Sequence, residues 1–211
     1  TADDQQARQQ RAPMDAAARW QFFKSHWFGI SVLVLSFVLL TGFRDFRDNY
    51  STEIWQALGY GQEPAIFTYA GIRIAGIVLL AMAALVMIKN NTKAFFANHL
   101  FILAGTLLLA GSTYAFEQHL VAAKTWMVLL GAGLYLSYIP YNCFLFDRMI
   151  SAVGGAANAG FLIYLADSAG YLGSVGILLY RTFGRPDLTA FAFFVAACYW
   201  VALIAALLVL A

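Results

Sequence analysis

The stretch that decides the fold is residues 65–88, AIFTYAGIRIAGIVLLAMAALVMI, an apolar run broken by a single charge, Arg73. As a helix rising about 1.5 Å per residue it would reach about 36 Å, more than the roughly 30 Å hydrocarbon core of a bilayer. Pro64 opens it and Lys89-Asn90-Asn91 closes it, both helix-boundary signals. Comparable apolar spans run over roughly 26–43, 96–115, 125–146, 158–181 and 189–211, making six. Across the 211 residues, 62% are hydrophobic, 16% aromatic and 11% charged, with a mean hydropathy of +0.70. A soluble domain carries charge on about a quarter of its residues, so a water-facing globule is excluded. The expected fold is all-α and integral to the membrane, with six transmembrane helices in residues 25–211 and a polar tail or linker over residues 1–24. The chain starts at Thr1 without a methionine, which suits a segment of a longer protein or a native start at Met14. The lead-in is too long and charged for a secretory signal.

The net charge of +2 is too small for a nucleic-acid surface. Cys143 and Cys198 sit inside apolar runs without paired spacing, so neither a disulfide framework nor a metal site is expected; both read as small fillers on the lipid side or within the bundle. His26, His99 and His119 fall near span ends without metal-ligand spacing, and no metal or cofactor is expected. Ser174 lies among glycines, but Leu172 stands where a nucleophile elbow needs glycine and no histidine lies mid-span as a base. Gly154, Gly155 and Gly160 follow no strand, so a nucleotide loop is not indicated either. An enzyme is not expected.

The connections KNNTKA, EQHLVAAK, DRMISAVGGAA and RTFGRPDL are short, whereas RDFRDNYSTEIWQALGYGQEP between the first two spans is long and helix-compatible as far as Gly59 and Gly61. On the side of the N-terminus, side A, stand seven basic residues: Arg8, Arg11, Arg19, Lys24, Lys89, Lys93 and Arg148. On side B stand five: Arg44, Arg47, Lys124, Arg181 and Arg185. By the positive-inside rule side A, with both termini, faces the cytoplasm.

Polar residues at hydrocarbon depth are the costly ones and lean functional. Arg73 lies about 12 Å from side B and Asp167 about 13 Å from side A, counted at the helical rise. By depth Arg73 is expected to pair with Asp48 or Asp45. Asp167 is then left either to carry a proton or to make a structural hydrogen bond through Ser168 or Tyr164. In RDFRDNYSTEIW, Arg44 and Asp48 are one turn apart with Arg47 and Asn49 beside them, so opposite charges can pair along one face. That segment reads either as a vestibule whose guanidiniums suit an anionic or polyhydroxylated solute, or as an interfacial helix anchored by Trp55 and Tyr60. Around Pro140, which kinks the fourth span, stand Tyr135, Ser137, Tyr138, Tyr141 and Asn142, a set that suits a cavity lining or hydrogen-bonded bundle packing. Gly170, Gly173 and Gly176 form a small-residue face for close helix approach.

The first span ends in FRDFRDNY and the fourth in YNCFLFDR, at opposite membrane faces, as an inverted three-plus-three repeat requires. Six spans, short loops and a basic lead-in resemble one half of a major facilitator superfamily transporter, the C-terminal half in particular. More narrowly, GFRDFRDNYSTEIWQALGYG, YIPYNCFLFDRMISA and GFLIYLADSAGYLGSVGILL resemble a family of uncharacterised bacterial proteins of that superfamily, over nearly all of the chain from about residue 20. The resemblance implies that the first and fourth helices line the solute path, with Arg44, Arg47, Asp48, Asn49, Tyr138, Tyr141 and Asn142 nearest it. It also implies that the second and fifth helices, carrying Arg73 and Asp167, face a second six-helix half in the same protein or a dimer partner. KNNTKA is shorter than that superfamily's usual gating loop. The expected function is alternating-access transport of a small polar or anionic solute in the bacterial inner membrane, with Asp167 coupling protons. The alternative is a non-transporting membrane scaffold or sensor.

Overall fold

The computed structural model describes residues 14–153 and 158–211; the expectations resting on residues 1–13, and on Gly154 and Gly155, lie outside the described residues. The regular elements of the described residues are all helices: α1 (Ala16–Ser25), α2 (Trp27–Asn49), α3 (Ser51–Ala57), α4 (Ala65–Val86), α5 (Asn91–Glu117), α6 (Ala123–Pro140), α7 (Phe146–Val153), α8 (Ala159–Leu179) and α9 (Ala190–Leu210). A π-helical turn, Tyr141–Leu145, joins α6 to α7, and a second, Tyr180–Gly184, extends α8. Six of these units are long and apolar enough to cross a membrane: α2, α4, α5, α6 with α7, α8 with its π turn, and α9. The protein is therefore a multi-pass helical membrane protein.

Polar caps set the ends. Asn90 Oδ1 accepts from the Lys93 amide at 2.9 Å, so α5 starts five residues before the apolar run predicted at 96. Thr189 Oγ1 accepts from the Ala192 amide at 3.1 Å to open α9. Gly59, with φ of 88°, closes α3 in a left-handed conformation that only glycine adopts freely. Pro140 has no amide to donate and crowds the preceding turn, and the π turn beginning at Tyr141 absorbs that fault.

Within the lead-in, read from the sequence as a polar tail or linker, the last part is helical. Asp15 Oδ1 accepts from the Ala18 amide at 2.7 Å and starts α1, and His26, at φ of −127°, separates α1 from α2. Trp20 stacks on Phe23 at 5.9 Å, Lys24 sits over Trp20 at 5.1 Å and Arg19 lies over Phe161 of α8 at 5.9 Å. Contacts within α1 and one cation–ring contact to α8 accompany a helix whose sequence carries no apolar period.

Helices α2 and α6 are the most buried spans. Helix α2 packs chiefly on α8 and α9, α6 chiefly on α5 and α4, and α5 on α9. Exchanging the first three spans for the last three maps α2 with α8 onto α6 with α4, and α2 with α9 onto α6 with α5, so the packing follows the inverted repeat. Small residues make the tightest crossings, as expected where apolar side chains gain nothing by leaving lipid. A Cβ on Gly42 would stand 3.0 Å from the Gly173 carbonyl oxygen, and one on Gly133 would stand 2.7 Å from that of Gly105. Beside the second crossing, Ser137 Oγ lies 3.1 Å from the Ile102 carbonyl and 2.9 Å from that of Gly133. Gly170 also faces α2, through Phe37 and Thr41, whereas Gly176 meets nothing.

Gly133→Val should lower the apparent melting temperature in detergent by about 5 °C or more, an overpacking cost of about 1–3 kcal/mol against immovable backbone. Gly111→Ala, on an open face of α5, should leave it within a degree. Unchanged melting of Gly133→Val would contradict the packing at this crossing.

Candidate functional site

The crossing at Gly42 and Gly173 sets the chemistry of the α2–α8 contact. One turn on from Gly42, Asp45 meets Ser174, whose hydroxyl hydrogen-bonds to Asp45 Oδ2 and also lies 3.2 Å from the Gly170 carbonyl. Arg44 donates from Nε at 2.9 Å and from Nη2 at 2.6 Å to Asp45 Oδ1, a two-point contact, and lies 4.4 Å from the Tyr138 ring centre. Side chains on a helix tilt toward its N-terminus, so Arg44 near the B end of α2 leans back toward mid-bilayer, where Tyr138 of α6 meets it. Asn142 Nδ2 donates to the Tyr138 hydroxyl at 2.9 Å and extends the chain of polar groups toward side A. Asp167 of α8 is half-buried and has no hydrogen bond to another described residue.

A second group lies one turn further toward side B. Arg47 Nη1 donates to Asp48 Oδ1 at 3.1 Å, and the Tyr135 hydroxyl lies 3.5 Å from Asp48 Oδ2. Both line a groove of about 550 Å³ together with Trp55 and, along α4, Ala70, Ile74 and Val78. The groove exists because α4 leans on α6 and leaves a gap to α2, which α8 on the opposite flank does not.

Several sequence expectations change here. Arg73 pairs with neither Asp45 nor Asp48. Its Nη1 donates to the Tyr69 carbonyl at 3.1 Å and its guanidinium lies 3.6 Å from the Tyr69 ring centre, on an exposed face of α4. The cause is again side-chain direction: α4 runs from side B, so Arg73 tilts back toward that interface and finds its own preceding turn. Arg44 does not pair with Asp48 one turn on. Each arginine takes its sequence neighbour, because Ser174 holds Asp45 and Tyr135 draws Asp48. Tyr141 is fully buried against Phe37 and Phe146, at 5.5 and 6.2 Å between ring centres, and lines no opening. Asn49 is exposed at the end of α2. Trp55 is buried, 2% exposed, and not a headgroup anchor. Tyr164 and Ser168, the expected partners of Asp167, are exposed and make no bond to it. Cys143 is exposed and Cys198 buried, the two filler positions expected.

Three residues of these groups were missed as site residues. In the sequence Ser174 reads only as a candidate nucleophile, Asp45 only as a partner for Arg73, and Tyr135 only as part of a tyrosine set. The spacing of Gly170, Gly173 and Ser174 was the available signal, since a glycine face that admits another helix brings the adjoining serine to it.

Residues 1–211 match a family of unknown function, DUF5690, over their whole length. The chain belongs to that family. No curated protein and no solved structure matches it. For this DUF5690 chain the chemistry therefore rests on the two groups above, an ion pair tied across α2, α6 and α8 and a guanidinium at the head of an apolar groove.

Removing one member of a largely buried pair strands the other. Arg44→Met should cost about 1–3 kcal/mol in detergent unfolding, allowing for the partial exposure of both side chains, and adding Asp45→Leu should recover most of it. A double-mutant cycle with no coupling would show that the pair contributes nothing to the fold.

Proposed function

We propose that the chain is one six-helix half of a secondary transporter that moves a small polar or anionic solute by alternating access against a second six-helix bundle. The observation that carries this reading is the polar face of α8 at hydrocarbon depth. Tyr164 and Tyr171 are 75% and 70% exposed, Ser168 is exposed between them, and Asp167 beside them lacks a hydrogen-bond partner among the described residues. Lipid tails satisfy none of these groups, so the face suits water in a path or a facing protein bundle. The neighbouring Arg44, Asp45, Tyr138 and Asn142 form a connected polar array next to it, as a solute path requires.

The inverted pairing of the six spans supports the same reading, because such repeats rock about a site between them, and so does the resemblance to a major facilitator half. The second bundle is an N-terminal half of the same protein or a dimer partner, and the membrane is the bacterial inner membrane with side A cytoplasmic, on the seven-to-five basic count. The reading is of a transporter and not an enzyme: Ser174 is tied to Asp45 as a structural hydroxyl. Asp167 takes the role of proton carrier, being the ionisable group of this face without a fixed partner.

The test uses the protein in its full natural reading frame in proteoliposomes, with single cysteines reporting accessibility from each face. Exchange between faces should depend on pH, and Asp167→Asn should remove that dependence while leaving exchange itself. Exchange whose pH dependence survives Asp167→Asn overturns the proton role. Accessibility fixed on one face under all conditions overturns transport and favours a scaffold or sensor.

A further inference from the structure

The groove beside α4 has a chemistry of its own. Its volume of about 550 Å³ is in the range of small-molecule sites. From Phe67 to Leu79 its α4 wall runs about 18 Å at the helical rise, from the side B end toward the bilayer centre. That wall is apolar, through Ala70, Ile74 and Val78, and the polar lining comes from Arg47, Asp48, Ser51 and Tyr135, with Arg47 reaching the wall beside Ile74. Arg47 is the principal polar group. It is nine-tenths buried, with one polar contact, Nη1 to Asp48, and its Nε finds no acceptor among the described residues. Gly131 of α6 makes room for it, since a Cβ there would stand 3.1 Å from Nη2.

A buried guanidinium with unmet donors is costly until an acceptor arrives. Nε is sealed from the groove and Nη1 serves Asp48, so Nη2 is the donor left for an oxygen of a carboxylate or phosphate. Asp48 does not take it: its carboxylate engages the other nitrogen, Nη1, and its side chain is 48% exposed.

We propose that this groove binds a single-chain amphipathic monoanion, an alkyl carboxylate or alkyl phosphate, with its head on Arg47 and its tail along Ile74 and Val78. A guanidinium set in a single apolar lane, in the gap that α4 leaves to α2, selects that class. The proposal deepens the transport reading by naming its solute class and rests on that reading for the solute's being cargo, whereas binding itself needs no transport.

The experiment is equilibrium binding of radiolabelled dodecanoate to the full protein in phosphatidylcholine nanodiscs, with empty nanodiscs subtracted. Binding should saturate at one per chain. Arg47→Gln should weaken it at least tenfold, and Ile74→Trp, which fills the tail lane and leaves Arg47 intact, should abolish it. Dodecyl phosphate should compete, while dodecanol, dodecyltrimethylammonium and inorganic phosphate should not. Binding unchanged in both variants overturns the proposal, as does equal competition by dodecanol. Displacement of dodecanoate by phosphatidylglycerol added to the nanodisc overturns the single-chain assignment. Asp167→Asn should leave binding intact, so dodecanoate binding without exchange between faces refutes transport alone, and exchange without binding refutes this proposal alone.

Discussion

Hydrocarbon supplies no hydrogen bonds, and every polar group in the spans must find its partner within the protein or in water that the protein admits. The structure depends on that constraint at each level. It makes the spans helical, it draws Ser137 onto the carbonyls of Ile102 and Gly133, and it hands the Trp126 ring nitrogen to Thr113 at 3.2 Å. It also explains the tight crossings. Where burial in protein and burial in lipid are equally apolar, close backbone approach at Gly42–Gly173 and Gly105–Gly133 is what holds helices together.

The same crossings determine where charge can be tolerated. Bringing α8 within backbone contact of α2 puts Ser174 on Asp45, and that bond orients the carboxylate to receive Arg44 from two nitrogens. Arg44 is then held between a carboxylate and the face of Tyr138, an arrangement that satisfies a guanidinium at a depth where an unpaired one would be costly. On the other flank α4 stands away from α2, and there Arg47 keeps donors without acceptors at the head of a groove. One repeat of the charged motif is closed by helix packing and the other is left open by it. Two nearly identical sequence units, Arg44-Asp45 and Arg47-Asp48, thus end in different surroundings.

Legibility tracked the range of the physics. The six spans could be read because each depends on the composition of about 20 consecutive residues. The glycine face of α8 could be read because it is a local period, and Gly170 and Gly173 do meet α2 while Gly176 does not. Pairings between helices could not. Depth along the bilayer suggested Arg73 for Asp45 or Asp48, but a depth argument has no azimuth, and Arg73 points out of the bundle and back to Tyr69. Tyr138 and Tyr141 are three residues apart and both pack on Phe37, yet Tyr141 is fully buried while Tyr138 also reaches Arg44, a difference set by what stands around each ring. The helix α1 has no apolar period to announce it; its cap at Asp15, the Trp20–Phe23 and Lys24–Trp20 contacts within its own turns and Arg19 over Phe161 of α8 hold it.

The sequence alone determined that this is a six-span helical membrane protein with its few charges at span ends and two deeper ones, since hydrophobicity and helical rise act residue by residue. Only the tertiary structure decided which charges meet, that Ser174 serves Asp45, that Arg73 stands apart and that Arg47 heads an apolar groove. Those outcomes depend on how helices rotate and approach one another, and that is set by contacts between residues far apart in the chain.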